Sequence, residues 1–588
     1  MKDFLKMVLA VICGFIILAV IGFILTFGLL GSLAAAGSSK PVLPKSGVLK
    51  IDLGEIVLGE QTQESSFFGS ADPLSLLQGG SVSSETVGLW DAVQAVNAAA
   101  TDPAVKYIYL LTDGNASSIA ALGELREALK HFRAASGKPV VSYMENPGTG
   151  GYYLASVSDK IYLNSSLGGT YQFTGIGSQM FFLGDLLGRL GVNMQLIRHG
   201  KYKSAGEMYT RSSSSPENRE QYQRMIDSIW ESIGAEIAEA RGISLEELDE
   251  AISGLKLRLP QDFVDCGLVD ELLDRNGLQD KLAALAVVDK YKDVKWISLP
   301  AYVDARVVPS KAHQKIAVIY ADGNIIDGKA KSNVAGDRFA SVIAKVRADS
   351  TVKAVVLRVN SPGGSVMASE KIKNELDLLK ADKPLVASYG DYAASGGYWI
   401  SNNCEKIFSD ATTLTGSIGV FGIIPDLSKT AKDIAHVGVE SVISHKHGDM
   451  YGGMRPLDKD EYDYMLTGIE AVYDRFTTIV SEGRGIPKET VDAIGQGRVW
   501  TGADALKINL VDEIGTLEDA IRYAAVAAGE PDLDQWNVKG YPAPPTPMEQ
   551  VLEMVGSRKN TEDVMVSTLR RLTRPQVFAR LDTDIRIQ

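Results

Sequence analysis

Cysteine is scarce in this 588-residue chain, which holds three: Cys13, Cys266 and Cys404. Their wide spacing excludes a metal motif and a disulfide framework. Cys13 lies in an apolar N-terminal segment, so a single pair is left and no structural disulfide is expected. Histidine is scarce too, with six: His131, His199, His313, His436, His445 and His447. Excess positive charge is lacking, and the net charge of −13 argues against the clustered basic face that nucleic acid requires. What is present is 45% hydrophobic and 23% charged, the composition of a globular protein able to bury large cores. The length alone admits about four domains.

Charge is absent from Met7 to Ser39, and the apolar part of that run spans residues 7–30. A bilayer core needs about 20 apolar residues, whereas a cleavable signal peptide has an apolar region of about 7–15. The run therefore reads as a transmembrane signal anchor within residues 1–46, although Ala34-Ala35-Ala36 also suits a cleavage site. Lys2 and Lys6 place the N-terminus in the cytoplasm. No second such run follows, so the expected placement is single-pass in a bacterial cytoplasmic (inner) membrane, with the bulk of the chain periplasmic.

The remainder contains the same pattern twice. Asp102-Pro103-Ala104-Val105-Lys106 matches Asp349-Ser350-Thr351-Val352-Lys353, and Gly137-Lys138-Pro139 matches Asp382-Lys383-Pro384. Asp159-Lys160-Ile161-Tyr162 matches Glu405-Lys406-Ile407-Phe408. Arg241-Gly242-Ile243 matches Arg484-Gly485-Ile486, and Gly267-Leu268-Val269-Asp270 matches Asn509-Leu510-Val511-Asp512. Order and spacing persist, which marks a duplication. Short β-branched runs (Val355–Val359, Pro384–Ser388, Lys406–Phe408) predict strands, and Ser365–Leu379 and Tyr464–Gly483 predict helices. That alternation predicts α/β units with buried parallel strands. Copy one is placed at 47–295, a linker at 296–313, copy two at 314–530 and a C-terminal tail at 531–588. An insertion from Glu60 to Ser84 carries Phe67-Phe68 and reads as a surface loop. The tail has a Pro-rich break followed by an amphipathic stretch at 548–572.

Each copy retains one member of a possible catalytic pair. Copy two holds Ala393-Ala394-Ser395-Gly396-Gly397-Tyr398, where copy one has Pro147-Gly148-Thr149-Gly150-Gly151-Tyr152. Copy one holds Lys201-Tyr202-Lys203-Ser204-Ala205, where copy two has His447-Gly448-Asp449-Met450-Tyr451. A serine hydroxyl needs a base, and a lysine can serve if burial disfavours its ammonium. None of the histidines lies in the Ser395 segment, although a Ser-His-Asp triad is defined in space. Gly396 and Gly397 let a substrate carbonyl approach, and a helix beginning there offers free N–H groups to an oxyanion. The turn Asn360-Ser361-Pro362-Gly363-Gly364 follows a strand and can supply a second donor. If the lysine segment is extended, Lys201 shares a face with Lys203. Two rival readings are a crotonase-type acyl-CoA enzyme and a non-catalytic scaffold. An extended peptide substrate could add as a strand at a sheet edge.

The stretches Asn360–Val366, Ala393–Ser401, Leu414–Val420 and Gln496–Gly502, together with the duplication and Tyr202-Lys203-Ser204-Ala205, resemble signal peptide peptidase A of the long, duplicated type. The resemblance implies two tandem Clp-protease/crotonase-like domains and a serine endopeptidase with a Ser/Lys dyad. It assigns the nucleophile to Ser395, the general base to Lys203, and the oxyanion donors to Gly396 and to Gly363 or Gly364. It implies peptide substrates (signal peptides left after secretion), a homotetramer anchored in the lipid bilayer, and neither cofactor nor metal.

Overall fold

The computed structural model describes residues 41–62, 85–331 and 333–544, and the backbone of 576–580. The apolar run at 7–30, most of the 60–84 insertion and the amphipathic stretch at 548–572 lie outside the described residues. Among the described residues no helix is long and apolar enough to cross a membrane. That corrects the expected single-pass inner-membrane placement, which is not carried forward.

The duplication is visible as two sheets of one topology. In the first, the strands run Glu271–Leu273, Lys160–Asn164, Val140–Met144, Val105–Leu111, Gly47–Asp52, Trp296–Ser298, each parallel to its neighbour. The second repeats that order as Glu513–Ile514, Lys406–Ser409, Leu385–Ala394, Val352–Ser361, Lys315–Asp322, Asn537–Tyr541, again parallel. Central strands such as Val352–Ser361 (VKAVVLRVNS) are buried on both faces, as β-branched runs between helices should be. The predicted strands and helices all occur, the helices as Val366–Asp382 and Lys459–Arg484. Trp296–Ser298 completes sheet one, and the buried Tyr302 of helix Leu299–Arg306 joins its core. Asn537–Tyr541 likewise completes sheet two. These edge strands are too short to announce themselves in sequence.

The repeated motifs meet in space. Helices Pro216–Arg241 and Lys459–Arg484 both end at a glycine with left-handed φ, Gly242 (66°) and Gly485 (64°). The following isoleucine N–H bonds back to Ala238 or Ser481, closing the same C-cap. Arg241 and Arg484 then pair with Asp270 (3.4 Å) and Asp512 (2.6 Å). Those carboxylates in turn accept the N–H of Ile161 and Ile407, both at 2.8 Å. Three separated motifs in each copy thus form one structural knot, which accounts for their persistence.

Copy two has two additional strands that branch from the C-terminal part of Leu385–Ala394: Leu414–Gly416 pairs with Tyr392–Ala394, and Val499–Thr501 pairs antiparallel with Leu414–Gly416. A third sheet joins the copies: Asn193–His199 of copy one pairs antiparallel with Val420–Asp426 of copy two, from Asn193↔Asp426 to His199↔Val420. Between the copies lies the buried Arg358, whose guanidinium meets Glu60 (2.8 Å) and Glu124 (2.8 Å). Glu60, expected to open a surface loop, is instead an anchor of this interface.

Candidate active site

Strand Leu385–Ala394 delivers Ser395 at its C-terminal end, and helix Gly396–Ser401 starts immediately after it. Ser395 has φ 54° and ψ −111°, a conformation that costs a non-glycine residue about 1–3 kcal/mol. Its N–H is held by Gly416 O at 2.8 Å, and its carbonyl accepts Trp399 N–H at 2.7 Å. As the first helical residue, Gly396 has an N–H without an intrahelical acceptor. The Gly363-Gly364 turn abuts it: a Cβ built on Gly396 would lie 3.1 Å from Gly364 N. Gly363 N–H donates to Ser361 Oγ at 3.2 Å. Gly364, with φ 156°, has no room for a side chain, because its Cβ would stand 1.9 Å from Ile325 O.

Lys203 reaches this point from copy one. After Asn193–His199, Tyr202 N–H bonds Gln496 O of copy two at 2.9 Å. Lys203 Nζ then lies 2.9 Å from Ser395 Oγ, across 192 positions of chain. It also lies 3.0 Å from Ser417 Oγ and 3.2 Å from Ser417 O. Lys203 is 1% exposed and Ser395 0%. Gly497 makes room for the lysine, since a Cβ there would come within 2.5 Å of Lys203 Cβ.

Among the expected site residues, Ser395, Lys203, Gly396 and the Gly363-Gly364 turn come together. Lys201, left open by strand geometry, is exposed, with its Nζ over the Tyr202 ring at 5.1 Å. The histidines considered as bases are engaged elsewhere: His199 stacks on Tyr473 (3.9 Å), His445 meets Ser444 and His447 meets Glu461 (both 2.9 Å). The vacated counterparts have structural partners. Thr149 Oγ1 donates to Gly175 O at 2.9 Å, and Arg455 donates to Asp449 at 2.7 Å. Ser417 was missed. It stands inside a motif recognised from sequence, but no spacing rule signals a hydroxyl that meets a lysine from the other copy. His447, Asp458 and Glu461 cluster their ligand atoms within 4.8 Å, yet both Glu461 oxygens already accept from Arg455, at 2.7 and 2.6 Å.

Beside the dyad an antiparallel slot runs between Gly363–Ser365 and Phe421–Ile423. The chain's own backbone fills it at Gln576–Arg580, with Gly364 opposite Ala579 and Gly422 opposite Val577. The site as a whole brings together a serine hydroxyl, a buried lysine amine and the Gly363-Gly364 turn beside Gly396.

The family model described as Peptidase family S49 matches residues 133–289 and 377–530. Protease 4 of Haemophilus influenzae is 35% identical over 521 residues, covering 86% of this chain and 83% of the relative. Protease 4 of Salmonella typhi is 37% identical over 482 residues (80% and 76%). The chloroplastic serine protease SPPA of Arabidopsis thaliana is 29% identical over 469 residues (78% and 68%). Among solved structures, ClpP1 from Listeria monocytogenes aligns with a TM-score of 0.23 at 17% identity, over 34% of this chain and 92% of its own.

Proposed function

The chain belongs to peptidase family S49 and is a serine protease; on that premise we propose that it is an endopeptidase working through Ser395 and Lys203, with cleaved signal peptides as substrates. The observation that carries the reading is the 2.9 Å contact between Lys203 Nζ and Ser395 Oγ, both buried, one from each copy. Burial to this degree disfavours an ammonium, and a neutral amine is what a general base requires.

In the proposed reaction Lys203 takes the proton from Ser395 Oγ, which attacks the peptide carbonyl. The N–H of Gly396 and an amide of the Gly363-Gly364 turn hold the oxyanion. Lys203 returns the proton to the leaving amine, and water hydrolyses the acyl-enzyme. Substrate backbone adds in the slot that Gln576–Arg580 fills, replacing that strand; its antiparallel pairing supports recognition by main-chain hydrogen bonds. Assembly into a homotetramer is supported by apolar side chains left in solvent on both copies. Phe181, Leu186 and Leu190 are exposed in copy one, as are Ile434, Val437 and Val442 in copy two. Thr430 Oγ1 donates to Leu190 O at 2.6 Å, so the two groups are neighbours.

Ser395→Ala and Lys203→Ala should each abolish peptide hydrolysis while leaving the unfolding transition unchanged. Full activity in Lys203→Ala would sink the dyad. Light scattering at micromolar concentration checks the tetramer, and a monomer would reject it.

A further inference from the structure

Lysine is the longest-stemmed base a protease can use, so a short Nζ–Oγ contact requires its backbone to be held as firmly as the serine's. Ser395 is fixed through its N–H on Gly416 O (2.8 Å) and by the strand it ends. The loop carrying Lys203 comes from the other copy and has no strand of its own at that residue. Besides the Tyr202 N–H on Gln496 O (2.9 Å) and the Arg198 guanidinium on Lys203 O (2.8 Å), a side chain on helix Pro216–Arg241 ties it down. Gln221 is buried, and its Nε2 lies 3.1 Å from Tyr202 O and 3.0 Å from Ser204 Oγ, one partner on each side of Lys203. Nε2 also lies 3.1 Å from Asn218 Oδ1, which orients the amide. Its Oε1 accepts the N–H of Val499 at 3.3 Å, in copy two.

Val499 is the register partner of Gly416 in the pairing of Val499–Thr501 with Leu414–Gly416. Gly416 is the residue whose carbonyl holds Ser395. One amide therefore links the two sides: hydrogen bonds run from Tyr202 and Ser204 to Gln221 and from Gln221 to Val499, strand register sets Val499 opposite Gly416, and the Gly416 carbonyl holds Ser395. No apolar residue could make these bonds, and buried amide atoms left without them would cost about 1–3 kcal/mol each.

We propose that Gln221 is a positioning residue for the reaction, clamping the Lys203 loop to the strand pair that holds Ser395 and so setting the Nζ–Oγ distance. The proposal rests on the dyad reading. It touches neither the reacting atoms nor the peptide slot, so its removal should lower kcat and leave KM nearly unchanged. A misplacement of about 1 Å at a catalytic group can cost about 100-fold in rate.

The test uses the full chain with Gln221→Leu, Gln221→Glu and, as a control, Gln223→Leu on the exposed face of the same helix. Turnover of a peptide substrate and the rate at which a fluorophosphonate labels Ser395 are both normalised to folded protein measured by unfolding. Gln221→Leu should lower kcat and the labelling rate together by about 100-fold, with KM within about two-fold. Gln221→Glu, which still accepts from Val499 but loses donation to Tyr202 O, should fall by a smaller factor of about ten. The control should match wild type. Either Gln221 variant retaining wild-type kcat per folded molecule, or losing activity through KM alone, overturns the proposal. Lys203→Ala run alongside keeps the two readings apart. If it stays fully active, the dyad fails and the Gln221 proposal falls with it; if it is dead while Gln221→Leu is as fast as wild type, only the Gln221 proposal falls.

Discussion

Ser417 meets Lys203 with two atoms, hydroxyl and carbonyl, and so helps fix the amine beside Ser395. Removing the hydroxyl leaves the carbonyl contact in place. Ser417→Ala should therefore retain the dyad but lower kcat by about tenfold, within the range of general-base effects; steady-state kinetics against wild type checks this. Gly364 poses a harsher constraint, because any Cβ there collides with the carbonyl of Ile325. Gly364→Ala must displace the turn that faces Gly396, and the loss of one oxyanion donor costs about 100- to 1000-fold in kcat. Activity within tenfold of wild type would show that this turn takes no part.

The interface elements add a second kind of dependence. Arg358 faces Glu60 and Glu124, and near them are Asp322, Asp391 and Asp410 of copy two. Asp391 accepts from the Ser118 hydroxyl and the Ala120 N–H, at the first turn of copy one's helix Ile119–Ser136. A Cβ on Gly123 of that helix would lie 3.0 Å from Asp410 Oδ2. Burial is the largest cause raising these carboxyls, Asp322 and Asp391 to about 6 and Asp410 to about 7. Glu124 and Glu236 push Asp410 up further, while bonds from Thr412 pull it down. The folded chain thus keeps protons that the unfolded chain releases near the ordinary value of 3.8. Stability from these groups is full below about pH 4 and is lost as pH rises through about 6 to 7. Urea unfolding should accordingly show a more stable protein at pH 5 than at pH 8, and Asp410→Asn should narrow that difference. Arg358→Met, by stranding the buried Glu124 and the partly buried Glu60, should destabilise the fold by about 3–5 kcal/mol, with Glu124→Gln partly restoring it.

At the scale of the whole molecule, Lys203 and Ser395 meet within one chain, beside the antiparallel pairing of Asn193–His199 with Val420–Asp426. Mixing Ser395→Ala protein with Lys203→Ala protein should therefore recover no activity even in mixed oligomers. Recovery to a substantial fraction of wild type would mean that the working site is built between chains. Gln221 and Arg358 both bridge the two copies at a distance from the serine.

Much of this was legible in the sequence because it is local or repeated. Alternation of β-branched runs with helical spacing predicted the parallel α/β units, the motif pairs exposed the duplication, and the complementary survival of Ser395 and Lys203 pointed to a shared site. Local patterns carry such information because burial and backbone propensity act over a few residues. Pairings between distant segments carry no such signature. Nothing in the order of residues showed that Ser417 would flank the lysine, that Gln221 would reach Val499, that Glu60 would pair with Arg358, or that Trp296–Ser298 would finish the first sheet. Those contacts exist only once the two copies have packed together. There a side chain's role is decided by which atoms crowd it and which hydrogen bonds it must satisfy out of water.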